Sequence, residues 1–134
     1  MRLSTNYLEA IIASVLSVNS YGLEKAIGLL PALRKTGLTD PLTVTKANVP
    51  EVMVWFHQAG YRRGMLSEMM AGRLISLMKA VAAGNLDGLN ELVATGNKAE
   101  ACEMLCQIKG IGPKVASDVW VLLTGTPEGP LKRM

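Results

Sequence analysis

The sequence predicts an all-α fold, and three observations support this prediction. Apolar residues recur at the three- and four-residue spacing of helices, and no segment shows the sustained alternation with β-branched residues that a half-buried strand requires. Glycine, proline and asparagine separate these periodic segments. The chain has 134 residues, of which 49% are hydrophobic and 19% are charged. This length and composition suit a single domain over residues 1–134.

Three helices are predicted in the first half of the chain. A polar residue at positions 4–6 can cap the first helix, whose apolar stripe lies between residues 8 and 16. The second helix spans about residues 23–35, with Pro31 near a helix start or at a kink, and a loop follows around Asp40. The third helix begins close to Pro50 and ends before Gly60. Its predicted buried residues are drawn from Val52, Val54, Trp55 and Phe56.

The second half contains one long helix and three shorter ones. Residues 65–83 have continuous helical periodicity, and Gly84 and Asn85 can end that helix. A short helix is predicted near residues 86–94. The last two helices cover residues 98–108 and 113–123, and residues 109–112 join them. The tail 124–134, with two prolines and two glycines, is predicted to be irregular.

Charge and hydropathy limit the class of protein. Fourteen Lys and Arg against eleven Asp and Glu give a net charge of +3, which favours an anionic partner without requiring one. No apolar stretch approaches the roughly 18–20 residues of a membrane span, and Glu9 interrupts the position of a signal-peptide core. We therefore expect no membrane contact and a cytoplasmic location, either at the nucleoid or in the cytoplasm of a host cell. Cys102 and Cys106, with no His nearby, predict no metal site.

The most specific segment is Ile-Lys-Gly-Ile-Gly-Pro-Lys-Val-Ala at residues 108–116. Gly110 and Gly112 permit a sharp turn and let backbone N–H groups approach a ligand, while Ile111 can anchor the turn in the core. The proline that follows suits the first turn of a helix. Because helix N-termini with free amides bind anions, we expect a nucleic-acid phosphate here beside Lys109.

This segment resembles the helix-hairpin-helix of the DNA glycosylase superfamily that includes endonuclease III and 8-oxoguanine DNA glycosylase. The resemblance implies a six-helix barrel whose hairpin holds the DNA backbone while a damaged nucleotide is flipped into a pocket. It also implies that Lys114 occupies the position of the catalytic lysine of the bifunctional members. The hairpins of this family often bind a monovalent cation, which the resemblance places at the carbonyls of Ile108, Lys109 and Ile111; no other cofactor is implied.

Two further segments resemble the family in the same order along the chain. The Leu-Ser-Val-Asn-Ser segment resembles the turn after the first barrel helix, which implies that Asn19 enters the duplex beside the unpaired base. The Gly-Tyr-Arg segment resembles the loop in which Tyr61 would wedge into the gap, Arg62 would bond the orphaned base and Arg63 would contact DNA. Alternatively, Tyr61 is a turn aromatic, both arginines are solvated and Asn19 caps a helix.

The sequence departs from the family at the catalytic aspartate. Where the family places that residue, this sequence has Lys132 and Arg133. The four-cysteine iron–sulfur cluster of endonuclease III has no counterpart either. Asp118, one helical turn after Lys114, is the nearest substitute, although an ion pair between the two is the simpler explanation.

Together these residues predict a minimal bifunctional DNA glycosylase and AP lyase that acts on double-stranded DNA as a monomer. Lys114, buried at the helix start beside other cations, would supply a neutral amine that attacks C1′ of an opened sugar and forms a Schiff base. The rival hypothesis is a non-catalytic DNA-binding module that lost turnover together with the aspartate. A third is a helical protein-interaction domain. Uracil, oxidised bases and abasic sites all stay open as substrates.

Overall fold

The computed structural model describes residue 3, residues 5–18 and residues 21–125, and these residues are all-α. They form nine α-helices and one 3₁₀ turn, with no β-strand in the part of the chain described. The helices are α1 Thr5–Leu16, α2 Leu23–Gly28, α3 Leu30–Thr36, α4 Pro41–Thr45, α5 Val49–Ala59, α6 Ser67–Ala82, α7 Leu89–Ala94, α8 Lys98–Cys106 and α9 Pro113–Thr124. The 3₁₀ turn Gly64–Leu66 precedes α6.

Two differences from the predicted helices lie between α1 and α5. The single helix predicted over residues 23–35 is broken at Leu29, so that Pro31 occupies the first turn of α3. Proline is tolerated there because its missing N–H has no helical partner at that position. The loop predicted around Asp40 instead contains α4. Asp40 caps this helix by accepting hydrogen bonds from the Leu42 N–H at 3.2 Å and the Thr43 hydroxyl at 2.8 Å.

The helices surround one apolar core, with α6 packed against α1, α4 and α5. Val52 and Phe56 are the buried members of the set predicted for α5, whereas Val54 is 55% exposed. Met69, in the helix predicted over residues 65–83, is 36% exposed because its face of α6 points away from the core. The largest fully buried side chains are Trp120, Tyr61, Phe56, Ile11, Ile12, Leu16, Leu33, Leu38, Met70, Leu74, Leu77 and Met78.

A buried carboxylate ties α1 to α3. Glu9 is 7% exposed, and both of its oxygens accept hydrogen bonds from Arg34, at 2.7 Å from Nε and 2.9 Å from Nη2. This bidentate pairing raises the pKa of the Arg34 guanidinium above its ordinary value. The pair fixes the orientation of α3 on α1 and satisfies the Glu9 charge inside the protein.

At the far end of the chain, α8 packs on α7 and α9, and α9 packs on α1. The six residues 107–112 therefore join two helices, α8 and α9, that pack against each other and against the rest of the core. No helix in the described part of the chain has both the length and the apolar character needed to cross a membrane.

Candidate nucleic-acid interface

The turn between α8 and α9 is closed by its own backbone and anchored by two isoleucines. The Ile111 N–H donates to the Ile108 carbonyl at 3.0 Å, and these side chains are only 4% and 5% exposed. Gly110 has a φ of +95°, a conformation that L side chains rarely adopt. The turn is therefore a rigid connection, with its apolar residues inside and the backbone of Gly112 exposed.

The N-terminus of α9 presents backbone donors. Gly112 is its N-cap residue in an extended conformation, and no side chain caps the helix. The first N–H groups of a helix have no partner within the helix, and the helix dipole places partial positive charge there. The start of α9 therefore has backbone donors that suit an anion.

Arg73 of α6 lies directly against this turn. A Cβ built at Gly110 would lie 2.9 Å from Arg73 Cδ and 3.0 Å from its Cγ, so the close approach requires glycine. Lys109 and Lys114, on either side of the turn in sequence, are both exposed. Three cationic residues thus contact or flank the turn that leads into the uncapped start of α9, and clustered cations attract polyanions. The sequence did not indicate Arg73. Gly110 is consistent with a close contact at the turn, but it does not identify which residue makes that contact.

Lys114 is exposed rather than buried. Its side chain is 90% exposed, and its Nζ lies 3.5 Å from Asp118 Oδ2 on the next turn of α9. Val115 and Ala116 take the core-facing positions of this first turn, so Lys114 must point outward. The structure therefore corrects the expectation that Lys114 is buried at the start of the helix. The contact with Asp118 is a surface i, i+4 pair of the weak kind.

The structure places Tyr61 in the core. The residue is 1% exposed, and its hydroxyl donates to the Leu16 carbonyl at 2.7 Å. Its ring packs edge-on against Phe56 and Tyr21, with ring centroids 4.8 Å and 5.0 Å away. Burial raises the pKa of Tyr61 to about 12, even though Arg63 opposes this shift. In this conformation the ring does not reach the surface from which a side chain would enter DNA.

Arg63 closes the end of α1. Its Nη1 donates to the Leu16 carbonyl and to the Tyr61 hydroxyl, both at 3.0 Å, and its Nη2 donates to the Val18 carbonyl at 2.9 Å. Its guanidinium also lies 4.9 Å from the centroid of the Tyr21 ring. Helix C-termini leave carbonyls unpaired, and a cation there satisfies them. Arg63 is therefore half-buried in a structural clamp, while Arg62 is exposed.

The hydrogen bonds of Tyr61 and Arg63 to the end of α1 bring together two of the three segments singled out in the sequence. Residues 61–63 contact the end of α1, immediately before the Asn19 position. Asn19 itself lies outside the described residues, as do Lys132 and Arg133. The third segment, residues 108–116, is connected to this region through α6, since Arg73 contacts Gly110.

Two cavities lie elsewhere on the molecule. One of about 530 Å³ lies between the start of α1, α4 and the end of α6, and a more open one of about 560 Å³ lies beside α8. Neither is lined by Lys114 or Asp118. The exposed amine therefore adjoins neither of these cavities, so neither is the pocket that would present a flipped base to it.

The described residues contain no group of three or more His, Cys, Asp or Glu side chains that could hold a metal ion. Of the three carbonyls that the resemblance assigns to a monovalent cation, that of Ile108 already accepts the Ile111 N–H. Comparison with known proteins gives no match to any family model, curated protein or solved structure.

Proposed function

We propose that this domain is a minimal bifunctional DNA glycosylase and AP lyase of the helix-hairpin-helix type, with α8, the turn and α9 as its DNA-binding motif and Lys114 as its nucleophile. One observation supports this most directly: the uncapped start of α9 follows a turn that Arg73 contacts and that Lys109 and Lys114 flank in sequence. The six-helix barrel implied by the resemblance belongs to the same proposal.

Binding to the DNA backbone uses the turn itself. The N–H groups at the start of α9 donate to phosphate oxygens, and the surrounding cations release counterions from the duplex. Contacts of this kind fix the position of the protein without reading sequence. Exposed Gly112 matters here because a Cβ at that residue would meet nothing within 4 Å in the protein, which leaves space for a phosphate.

The lyase reaction requires an amine within reach of an abasic sugar. The Lys114 Nζ attacks the C1′ aldehyde of the ring-opened sugar, and loss of water gives an imine. Removal of a proton from C2′ then expels the 3′ phosphate, which cuts the strand, and water releases the enzyme. The Asp118 carboxylate, 3.5 Å from the amine, is the candidate general base for the proton that leaves C2′.

Base excision makes a further demand. The sugar develops positive charge as the base leaves, and a carboxylate must stabilise that charge. Asp118 is the carboxylate that contacts Lys114 and is the candidate for this role. An abasic site needs no base pocket, so the exposed Lys114 fits the lyase reaction more directly than base removal.

A non-catalytic DNA-binding module is the second candidate, and the 90% exposure of Lys114 favours it. Activation of a lysine nucleophile by desolvation requires burial, and this side chain is exposed among the described residues. In that case Lys114 contributes charge to phosphate binding and does not react.

Borohydride trapping separates these candidates. Wild type, Lys114→Gln and Lys109→Gln are incubated with duplexes that carry an abasic site, uracil or 8-oxoguanine, and covalent adducts and strand cuts are scored on denaturing gels. Lys109→Gln is the matched control because it removes an exposed lysine from the same turn and leaves the nucleophile in place. We expect abasic-site adducts from wild type and Lys109→Gln at saturating protein, and none from Lys114→Gln.

Each other result has a defined meaning. Adducts with the uracil or 8-oxoguanine duplex establish base excision in addition to the lyase step. Binding without any adduct or cut identifies the non-catalytic module. A wild type that binds none of these duplexes at low salt overturns the proposal.

A further inference from the structure

The cavity of about 530 Å³ has no part in the proposed function. It lies between the start of α1, the start of α4 and the end of α6, and the loop after α6 completes its wall. Sites for small molecules occupy roughly 300–1,000 Å³. The cavity is therefore large enough to hold a small organic molecule.

One part of the cavity wall is apolar. Leu8 contributes from α1, Val81 from α6, and Pro41 and Leu42 from the first turn of α4. Leu8 is 5% exposed and belongs to the core, whereas Leu42 is 65% exposed. A ligand that covers Leu42 removes apolar surface from water, which is favourable. This part of the wall therefore suits a ligand with an apolar body.

The polar part of the wall is negatively charged. Asp40 and Asp87 both line the cavity, and none of the residues that line it is a Lys, Arg or His. Neither carboxylate forms an ion pair within the described part of the chain. Asp40 accepts hydrogen bonds from a backbone N–H and a threonine hydroxyl, and both of these donors are uncharged. The charge of the cavity is therefore left for a ligand to balance.

The end of α6 adds to this negative charge. Ala82, the last residue of the 16-residue helix, lines the cavity, and so does Gly84 just beyond it. A helix C-terminus carries partial negative charge and leaves its last carbonyls without helical partners. Asp87 lies close to this end, because a Cβ built at Gly84 would be 3.1 Å from Asp87 Oδ2. A carboxylate and a helix C-terminus thus act on the same part of the cavity.

We propose that this cavity binds a small organic cation, with its ammonium group beside Asp87 and the end of α6 and its apolar body against Leu8 and Leu42. An anion would be repelled by both carboxylates, and an inorganic cation would leave the apolar wall uncovered. The protein as a whole has a net charge of +3, so attraction of a cation depends on the local field of the cavity. The proposal is independent of DNA binding.

Three probes of similar size and different charge test this: cyclohexylmethylamine, cyclohexylmethanol and cyclohexanecarboxylate. Each is titrated into the full ¹⁵N-labelled chain at pH 7, and amide chemical shifts give both the affinity and the location of binding. We expect the amine to bind about fivefold more tightly than the alcohol, the upper value for an exposed ion pair, and the carboxylate to bind more weakly than either. The largest shifts should fall on residues 40–42 and 81–87.

Asp87→Asn should lower the affinity for the amine to that for the alcohol and leave the alcohol unaffected. Glu68→Gln is the matched control, because it removes one negative charge from the first turn of α6, at the opposite end of the same helix. Each variant has a net charge of +4, one more than the wild-type +3. Both residues are exposed, so the urea unfolding midpoint should stay at the wild-type value, which checks that the variants are folded.

Leu42→Ala tests the apolar wall and should weaken binding of the amine and the alcohol alike. Equal affinities of wild type for amine and alcohol would overturn the proposal, as would equal losses of amine affinity in Asp87→Asn and Glu68→Gln. Shifts that map outside the cavity, or shifts that KCl alone reproduces, would overturn it as well. DNA binding is measured separately, so none of these results bears on the proposed function.

Discussion

Tyr61 joins the end of α1 to the loop before α6 through one hydroxyl, which donates to Leu16 and accepts from Arg63. Replacing it with Phe should cost about 1 kcal/mol at neutral pH, the usual net contribution of a buried hydrogen bond. Urea denaturation of wild type and Tyr61→Phe measures this. The Leu16 carbonyl keeps its bond to Arg63, so a loss far above this range would mean that the hydroxyl has a role beyond the clamp.

The same pair of proteins should differ in their response to alkaline pH. Burial raises the pKa of Tyr61 to about 12 from an ordinary value of 10.0. Between these values the unfolded chain has already lost the proton that the folded protein keeps, so stability falls as pH rises through this window and is fully present below pH 10. The advantage of wild type over Tyr61→Phe should therefore shrink between pH 10 and pH 12.

Lysines and the other titratable groups are the same in both proteins, so their contributions to the pH dependence cancel in the difference between wild type and Tyr61→Phe. The readout is the difference in unfolding free energy at a series of pH values. A difference that stays constant up to pH 12 would contradict the burial of the phenol.

At the scale of elements, the turn between α8 and α9 contains two glycines whose replacement by alanine should have different effects on stability. Gly110→Ala places a Cβ at positive φ and within 3 Å of Arg73, which should destabilise the fold by about 2 kcal/mol and displace Arg73. Gly112 has a φ of −95° and open space around its Cβ, so Gly112→Ala should change stability by less than about 1 kcal/mol.

The effect of Gly112→Ala on DNA binding should be larger than its effect on stability. Gly112→Ala adds its methyl group where the proposed phosphate approaches, so it should weaken duplex binding while thermal or urea unfolding stays close to wild type. Normal affinity in a folded Gly112→Ala protein would show that the phosphate lies elsewhere.

The long helices were predictable because local signals mark them. Apolar periodicity indicates α1, α6 and α9, and the capping box between Asn48 and Glu51 fixes the start of α5. The break at Leu29 and the five-residue α4 were not predicted. Helices this short are marginal alone and depend on tertiary packing, such as that of α4 on α6, which sequence patterns do not show.

The candidate site also has one part that local sequence predicts and another that depends on long-range contacts. The turn at residues 108–116 follows from its Gly-Ile-Gly-Pro pattern, because local backbone geometry decides it. The location of Tyr61 depends on a carbonyl 45 residues earlier, and that of Arg73 on a contact between α6 and Gly110. Such long-range contacts leave no periodic signal, which is why a residue expected at the surface lies in the core.

At the scale of the whole molecule, one core holds every part of the proposed interface. The core helix α6 presents Arg73 at the α8–α9 turn, while α9 packs on α1. The net charge of +3 is small, so its placement matters more than its size. With three cations around one turn, duplex binding should be strongly salt-dependent and insensitive to base sequence.

Lys109→Gln tests whether DNA binding depends on the position of a cation at the α8–α9 turn or only on the net charge of the protein. If Lys109 contacts a phosphate, its removal should lower affinity equally for unrelated sequences and reduce the slope of log K against log salt by about 1, from about 3 for three contacts. Lys35→Gln on α3 is the matched control, since each variant has a net charge of +2, one less than the wild-type +3. Fluorescence anisotropy across a salt series measures both. Equal effects of the two variants would mean that long-range attraction, rather than contact at the turn, governs binding, and the interface would have to be placed elsewhere.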